Sequence, residues 1–383
     1  MKTHEIAAML RMLASPDGKT SVHFAGNSKP ELLEKVCGRL ESVGAAFSAN
    51  QDVIAEAFHS FVKKNRLPQA VFVHDIGLFT LGRDSFEAHS NAALFAGAEP
   101  QLSQKKRSNG RLDRKIAIVT GAGQGFGKAI AKGIAAEGAY VAAADIDSEK
   151  ASQTAGEINS IFGENIAIAI RADVSDEESV RNMVTEAVNE FGGLDIMINS
   201  AGIVRAGGID ELSTDDFTRI ADVNYKGFYL CTKYASEVMK LENRFAPDYF
   251  TDIIEINSKS GLAGSKKNFA YAGSKFGGIG LVQSFALELC EHKIKVNAVC
   301  PGNYLDGPLW SDPEKGLFRQ YLEAGKVPGA KTLDDVRRYY EAKVPLGRGC
   351  QPDDVMRAIL YLIDQKYETG QALPVTGGQI MLG

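Results

Sequence analysis

The sequence predicts an α/β protein: a doubly wound parallel sheet preceded by a smaller N-terminal α/β domain. Three observations carry this. From Arg114 onward, short apolar runs alternate with helical patterns, as parallel strands with covering helices require. A glycine-rich turn directly follows the first of these runs and opens a helix. The chain has 383 residues, 44% hydrophobic and 24% charged, enough for two or three compact units with their own cores. That composition excludes disordered, collagen-like and coiled-coil chains.

Residues 1–98 read as the smaller domain. Leu32, Leu33, Val36, Cys37, Leu40 and Val43 recur at helical spacing over Pro30 to Val43, and Pro30 suits a first turn. Val53, Ile54, Ala57, Phe58, Phe61 and Val62 repeat the pattern, and Ala70–Val73 and Leu78–Leu81 read as short strands. Asp84 and Glu87 have the spacing of a capping pair before a helix over Ala88–Phe95. Residues 99–113 form the linker, within a basic run that holds Lys105, Lys106, Arg107, Arg111, Arg114 and Lys115. Such a run can touch nucleic acid, but its place between two patterned regions favours a solvated connection.

Residues 114–383 form the larger domain. Its strands are expected at Ile116–Val119, Val141–Ala144, Ile166–Ile170, Ile196–Asn199, Ile253–Ile256, Val296–Val299 and Ala372–Val375. Right-handed crossovers wind these into one sheet, and ligands of such sheets sit outside the carboxyl ends of the strands.

Composition bounds the partners. Lys and Arg total 43 against 48 Asp and Glu, a formal charge of −5, which offers no global attraction to nucleic acid or anionic membrane. No apolar run approaches the ~18 residues of a membrane span. The first apolar stretch, Ile6 to Leu10, is cut by Arg11, so no secretory signal is expected. Cys37, Cys231, Cys290, Cys300 and Cys350 are scattered without a Cys-x-x-Cys pair, which favours reduced thiols in a cytoplasm over a disulfide framework or zinc ribbon.

The candidate site residues fall at strand ends. Thr120 to Gly127 reads T-G-x-x-x-G-x-G, with Gly121, Gly125 and Gly127 as its glycines and Gln124 and Phe126 between them. A dinucleotide pyrophosphate needs free backbone N–H groups at a helix N-terminus and no Cβ in its way. Asp145 ends the second strand, where a carboxylate accepts from a ribose diol and repels a 2′-phosphate, favouring NAD over NADP. Neighbouring Ile146 and Asp147 add no basic group. Asp173, beside Val174, is placed to meet an adenine amine or to cap its own loop. Asn199-Ser200-Ala201-Gly202 supplies small residues after the fourth strand.

Tyr271 and Lys275 are four apart, hence on one face of a helix. A phenol, with a reference pKa of about 10, is a poor base at neutral pH, and an adjacent ammonium stabilises its phenolate. Ser258 ends the fifth strand 13 residues before Tyr271, with Ser260 as a rival, and Asn224 lies in Val223-Asn224-Tyr225.

These motifs, in this order and with Pro301-Gly302 after them, resemble the short-chain dehydrogenase/reductase family over about residues 114–383. The resemblance implies a Rossmann-like fold, NAD as cofactor and assembly as a homo-oligomer, dimer or tetramer. It implies that Tyr271 takes the hydroxyl proton as hydride leaves the substrate carbon. Ser258 would bond the same oxygen, Lys275 would support the phenolate and hold the nicotinamide ribose, and Asn224 would anchor a water relay. Gly121, Gln124, Gly125, Phe126, Gly127, Asp145, Ile146, Asp173, Val174, Asn199, Ala201, Gly202, Tyr271, Lys275, Pro301, Gly302 and Asn303 would line the cofactor. The family often has Thr four residues after the Gly of Pro-Gly; here that position is Asp306, and Asn303 is the substitute for its amide contact.

Ile256 to Gly261, Gly264 to Asn268 and Val344 to Cys350 resemble the branch that interconverts D-sorbitol 6-phosphate and D-fructose 6-phosphate. Lys259 and Lys266 are the candidates for the phosphate. An NAD-dependent dehydrogenase of an unphosphorylated polyol, or a non-catalytic dinucleotide sensor, are the other readings. Tyr304 to Leu333, with Trp310 and Phe318, is expected to cover the substrate or to serve as a packing loop. Ile76 to Gly82 resembles the closing part of class II sugar-phosphate aldolases. The metal-binding His of that family is replaced by Ile76, and His23, His59, His74 and His89 stand alone in the sequence, so no metal is expected.

Overall fold

A computed structural model describes residues 1–27, 43–46, 50–98 and 110–381. Of the helix expected over Pro30 to Val43, residues 30–42 lie outside the described residues, as do Cys37 and most of the linker, and Val43 belongs to a strand instead.

The N-terminal unit is a four-stranded sheet in the order β1-β4-β3-β2, where β1 is Ser21–Asn27, β2 Val43–Ala46, β3 Ala70–Val73 and β4 Gly77–Gly82. Only the β2–β3 pair is parallel. Its helices are α1 (Thr3–Ala14), α2 (Gln51–Val62) and α3 (Ser85–Ala96). Asp84 caps α3 as expected, its carboxylate accepting from Glu87 N at 2.8 Å. Glu87 in turn accepts from Arg83 N, one residue before the cap.

The larger unit is a seven-stranded parallel sheet in the order β11-β10-β9-β8-β5-β6-β7. These strands are β5 (Ile116–Thr120), β6 (Tyr140–Asp145), β7 (Ala167–Arg171), β8 (Ile196–Asn199), β9 (Thr251–Ile256), β10 (Ile294–Pro301) and β11 (Ala372–Val375). All seven fall within two residues of the expected bounds. Central strands such as β5 are buried at every position, so they read as unbroken apolar runs. The covering helices are α4 (Gly125–Ala136), α5 (Ser148–Phe162), α6 (Glu177–Phe191), α7 (Thr214–Ala221), α8 (Gly227–Phe245), α9 (Phe269–Leu289) and α13 (Pro352–Asp364). Between β10 and α13 lie α10 (Pro308–Ser311), α11 (Leu317–Glu323) and α12 (Leu333–Glu341). The order reverses between β5 and β8, which opens a crevice at their carboxyl ends.

The two units share a core. Helix α1, which the sequence reading did not assign, packs on α6 and α8, and Ile6 to Leu10 are fully buried there. Arg11 is buried with them and reaches Asp195 at 2.6 Å and Glu242 at 2.8 Å. Burial alone would raise the Asp195 carboxyl, but Arg11 and Lys115 hold it below the usual range. Glu242 is pushed up to about 8 by burial, against the pull of Arg11. Tyr140 OH on β6 accepts from Ser85 N at the start of α3 at 2.8 Å, tying the units a second time. Leu112, at the end of the expected linker, is 1% exposed and belongs to the core of the larger sheet.

Candidate active site

The glycine turn is shaped by contacts that leave no room for a side chain. Gly121 sits at φ +64°, and a Cβ there would lie 2.9 Å from Ala201 Cα. A Cβ on Gly127 would stand 2.0 Å from the carbonyl oxygen of Gly121, so α4 meets the turn backbone to backbone. Gln124 at the head of α4 makes no side-chain cap, and the first N–H groups of the helix stay open to an anion. Thr120 Oγ1 accepts from Ser200 N and Ala201 N, each at 3.1 Å, and so fixes the Asn-Ser-Ala-Gly segment against β5.

Asp145 accepts from Gly123 N at 2.8 Å and from Asp147 N at 3.0 Å, which holds its carboxylate at the end of β6. Asp173 accepts from Ser175 N and Oγ within its own loop, and it also lines the crevice.

The crevice is a cavity of about 390 Å³. On its walls stand Gly121, Gln124, Gly125, Phe126, Gly127, Asp145, Ile146, Asp173, Val174, Ala201, Gly202, Pro301, Gly302 and Asn303, together with Ser258, Lys259, Tyr271 and Lys275. Ser260 lines it as well, so both serine candidates face the same space. Asn303 is 8% exposed, and its Nδ2 has no hydrogen-bond partner among the described residues. That unused donor, the free head of α4 and the glycine cradle fit a nicotinamide dinucleotide, with Asp145 at its ribose end.

Lys275 projects from α9 into a buried polar layer. Its Nζ donates to Ile256 O at 2.8 Å and lies 3.4 Å from Glu255, while Asn257 Nδ2 bonds both Glu255 and the Lys275 carbonyl. Burial raises the Glu255 carboxyl even against Lys275.

Two predicted residues stand behind the wall instead of on it. Asn224 sits in a π-helical turn over Asp222–Lys226; its amide accepts from Ile203 N at 2.8 Å and donates to Ile203 O and Ser274 Oγ. Asn199 Oδ1 and Nδ2 are buried without partners among the described residues. Asn199, Asn224, Thr120 and Lys275 border a separate void of about 10 Å³, the room one water occupies.

The phosphate candidates need a correction. Lys266 is exposed and does not line the cavity, because the loop reverses at Lys267 (φ 56°) and turns Lys266 outward. Lys267 itself is paired with Glu211. Besides Lys259 and Lys275, the wall carries Arg219 and, from the segment after α11, Lys326, both of which sequence reading missed. Burial lowers Lys259 to about 8, helped by the charge of Lys343. Burial likewise lowers Lys326 to about 8, helped by Lys259 and Lys343. Among the described residues, no acidic group acts on either.

The segment from Tyr304 onward does cover this cavity. Trp310 packs edge-on against Phe318 and Tyr340, and Tyr304 stacks on Phe126 with ring centres 4.9 Å apart. Trp310, Tyr321 and Tyr340 line the space above Tyr271 and Ser258. Asp306 points elsewhere: it accepts from Arg337 at 2.6 Å and Gln351 at 2.9 Å, pinning the cover to α12 and to the residue before α13.

Residues 115–311 match the short chain dehydrogenase family. Over 272 residues the chain is 42% identical to sorbitol-6-phosphate 2-dehydrogenase of Escherichia coli K12, covering 70% of this chain and 99% of that protein. The crystal structure of sorbitol-6-phosphate 2-dehydrogenase from Erwinia amylovora superposes with a TM-score of 0.64 at 38% identity, over 70% of this chain and 100% of that one. A 3-ketoacyl-(acyl-carrier-protein) reductase from Brucella melitensis, solved in complex with NADH, gives a TM-score of 0.59 at 30% identity, over 70% and 99%. The aldolase resemblance of Ile76 to Gly82 finds no support in these matches.

Proposed function

This chain belongs to the short-chain dehydrogenase family, and we propose that within it the protein is an NAD-dependent dehydrogenase of a polyol phosphate, converting D-sorbitol 6-phosphate to D-fructose 6-phosphate and back. The observation that carries this reading is the pair Lys259 and Lys326, half-buried and without acidic partners among the described residues, on the wall that also bears Tyr271 and Ser258. Half-buried ammonium groups are costly unless something anionic meets them, and a phosphate dianion is such a group. Likeness to two sorbitol-6-phosphate 2-dehydrogenases supports the same choice.

NAD, when bound, supplies the acceptor for the hydride of the alcohol carbon. The protein's own residues do the rest. Lys259 and Lys326 hold the phosphate and so fix which carbinol stands at Tyr271. Tyr271 takes the hydroxyl proton as the C–H bond breaks, while Ser258 hydrogen-bonds the same oxygen. Lys275, anchored by Ile256 O and Glu255, presents its charge to the phenolate. Asn224 and Asn199 border the one-water void behind Lys275 and supply the outward path for the proton. Asp145 receives the adenosine ribose diol and selects against a 2′-phosphate.

A cytoplasmic location agrees with Cys231, Cys290, Cys300 and Cys350 all being free thiols. No described helix is long and apolar enough to cross a membrane. Assembly as a homo-oligomer is consistent with Tyr225, Tyr229 and Phe276 exposed on the outer helices.

The test is NADH formation from D-sorbitol 6-phosphate, D-sorbitol and other hexitols with their phosphates, with NAD and NADP compared. Strong preference for the phosphorylated hexitol with NAD is expected. Equal kcat/KM for sorbitol and its phosphate overturns the phosphate reading, and no turnover of any polyol overturns the substrate class.

A further inference from the structure

Away from the cleft, three side chains with metal-ligand chemistry meet where the N-terminal unit packs on α6. His23 of β1, His89 of α3 and Glu190 of α6 place one ligand atom each within 4.8 Å of the others. His89 Nε2 lies 2.9 Å from one oxygen of Glu190, and His23 Nδ1 lies 3.6 Å from the other. The imidazole centres are only 4.1 Å apart.

A hydrogen bond behind the His89 ring sets how it faces the cluster. His89 Nδ1 is 2.7 Å from Ser85 O, and a carbonyl only accepts, so Nδ1 carries the proton and Nε2 faces the cluster. A backbone oxygen behind the ring is the outer contact that orients metal-binding histidines. His23 Nδ1 is buried without a hydrogen-bond partner among the described residues. His89 Nε2 and His23 Nδ1 thus face the two oxygens of the same carboxylate. Glu186, one helical turn before Glu190, lines the same open depression, and burial followed by the charge of Glu190 raises its carboxyl.

We propose that His23, His89 and Glu190 bind a divalent transition-metal ion of zinc type, with water as fourth ligand on the open side next to Glu186. Two imidazoles and one carboxylate suit zinc, cobalt or nickel, whereas magnesium and calcium take oxygen donors. Because the ligands come from both units, the ion clamps the N-terminal sheet to the dehydrogenase sheet. The histidines stand alone in the sequence, 66 residues apart, which is why spacing gives no sign of the site.

The test uses the full chain, stripped with a chelator and titrated with Co²⁺ and Zn²⁺. The expected result is one equivalent of Co²⁺ with the intense visible bands of four-coordinate cobalt, and a Zn²⁺-dependent rise in melting temperature. Outer-contact changes alone cost roughly 10–100-fold in metal affinity, so His23→Ala and His89→Ala should weaken Zn²⁺ by at least that. NADH formation should stay unchanged. Glu190→Gln keeps the side-chain volume and guards against misfolding of the histidine variants. Absence of cobalt bands in the unaltered chain overturns the proposal. So does unchanged Zn²⁺ affinity in the folded variants, or a melting temperature that responds to pH but not to Zn²⁺.

Discussion

Replacing Lys326 by Met removes one of the two ammonium groups proposed to hold the phosphate while keeping most of its packing. The Lys326 Nζ lies 3.9 Å from the Tyr321 ring centre, and a methionine of similar length can place its thioether against the same ring. A hydrogen bond to a charged partner contributes about 1.5–3 kcal/mol. At about 1.4 kcal/mol per factor of ten, the loss is about 10- to 150-fold in kcat/KM for D-sorbitol 6-phosphate. The group is mostly protonated at pH 7, since burial lowers it only to about 8. The assay is NADH absorbance with the phosphorylated and the free hexitol, run on the same preparation. The loss should appear in KM for the phosphate, with kcat and the rate on free sorbitol nearly unchanged. An equal fall on both substrates would mean that Lys326 supports the fold of the cover and not the anion, and no fall on either would remove it from the site.

The pH profile follows from the same groups. Lys259 and Lys326 sit below the ordinary lysine range, at about 8, so the cationic site is complete near pH 7 and is lost as pH rises through 8. Phosphate becomes dianionic above about pH 6, so KM for the phosphorylated hexitol should be lowest near neutrality and climb on the alkaline side; a flat alkaline limb contradicts the assignment. Lys343→Met removes the charge acting on both lysines and should move that limb to higher pH. Tyr271→Phe should lower kcat by about 10²–10⁴-fold and leave NADH binding, followed by its fluorescence, intact; loss of NADH binding would refute the division of roles. Asp145→Ser should shift the NAD-to-NADP ratio of kcat/KM toward NADP, and an unchanged ratio would show that the carboxylate does not select. Arg11→Met leaves Asp195 and Glu242 buried without their shared cation, which costs about 3–5 kcal/mol; a urea midpoint at the original value would show that the network carries no stability.

Much of this fold was readable because its signals are local. Strands buried on both faces, as β5 and β10 are, appear as apolar runs wherever they fall. Tyr271 and Lys275 share a helix face by spacing alone, and the glycine turn is contiguous. Edge strand β1 was missed because Ser-Val-His-Phe-Ala-Gly-Asn has neither alternation nor a continuous apolar core, and its pairing with β4 is irregular between Phe24 and Gly26. The second lysine of the proposed phosphate site was missed for another reason. Lys259 and Lys326 are 67 residues apart, and only the packing of the cover over the sheet ends puts both on one wall.

Arg11 makes the same point from the opposite side. In the sequence it interrupts an apolar run, yet it is fully buried, with its partners 184 and 231 residues away. What separates Arg11 from the two lysines is what meets each charge. Arg11 is answered by two carboxylates and the Gly18 carbonyl, so its burial is spent on joining two units. Lys259 and Lys326 are turned toward a cavity, with no acid among the described residues acting on them. A fold keeps a half-buried charge in that condition at a cost in stability, and selection tolerates the cost where an anion arrives from outside. It is their orientation toward the cavity, not cationic character alone, on which their proposed role as binding groups rests. The same criterion explains why Lys267, equally cationic but paired with Glu211, is not one.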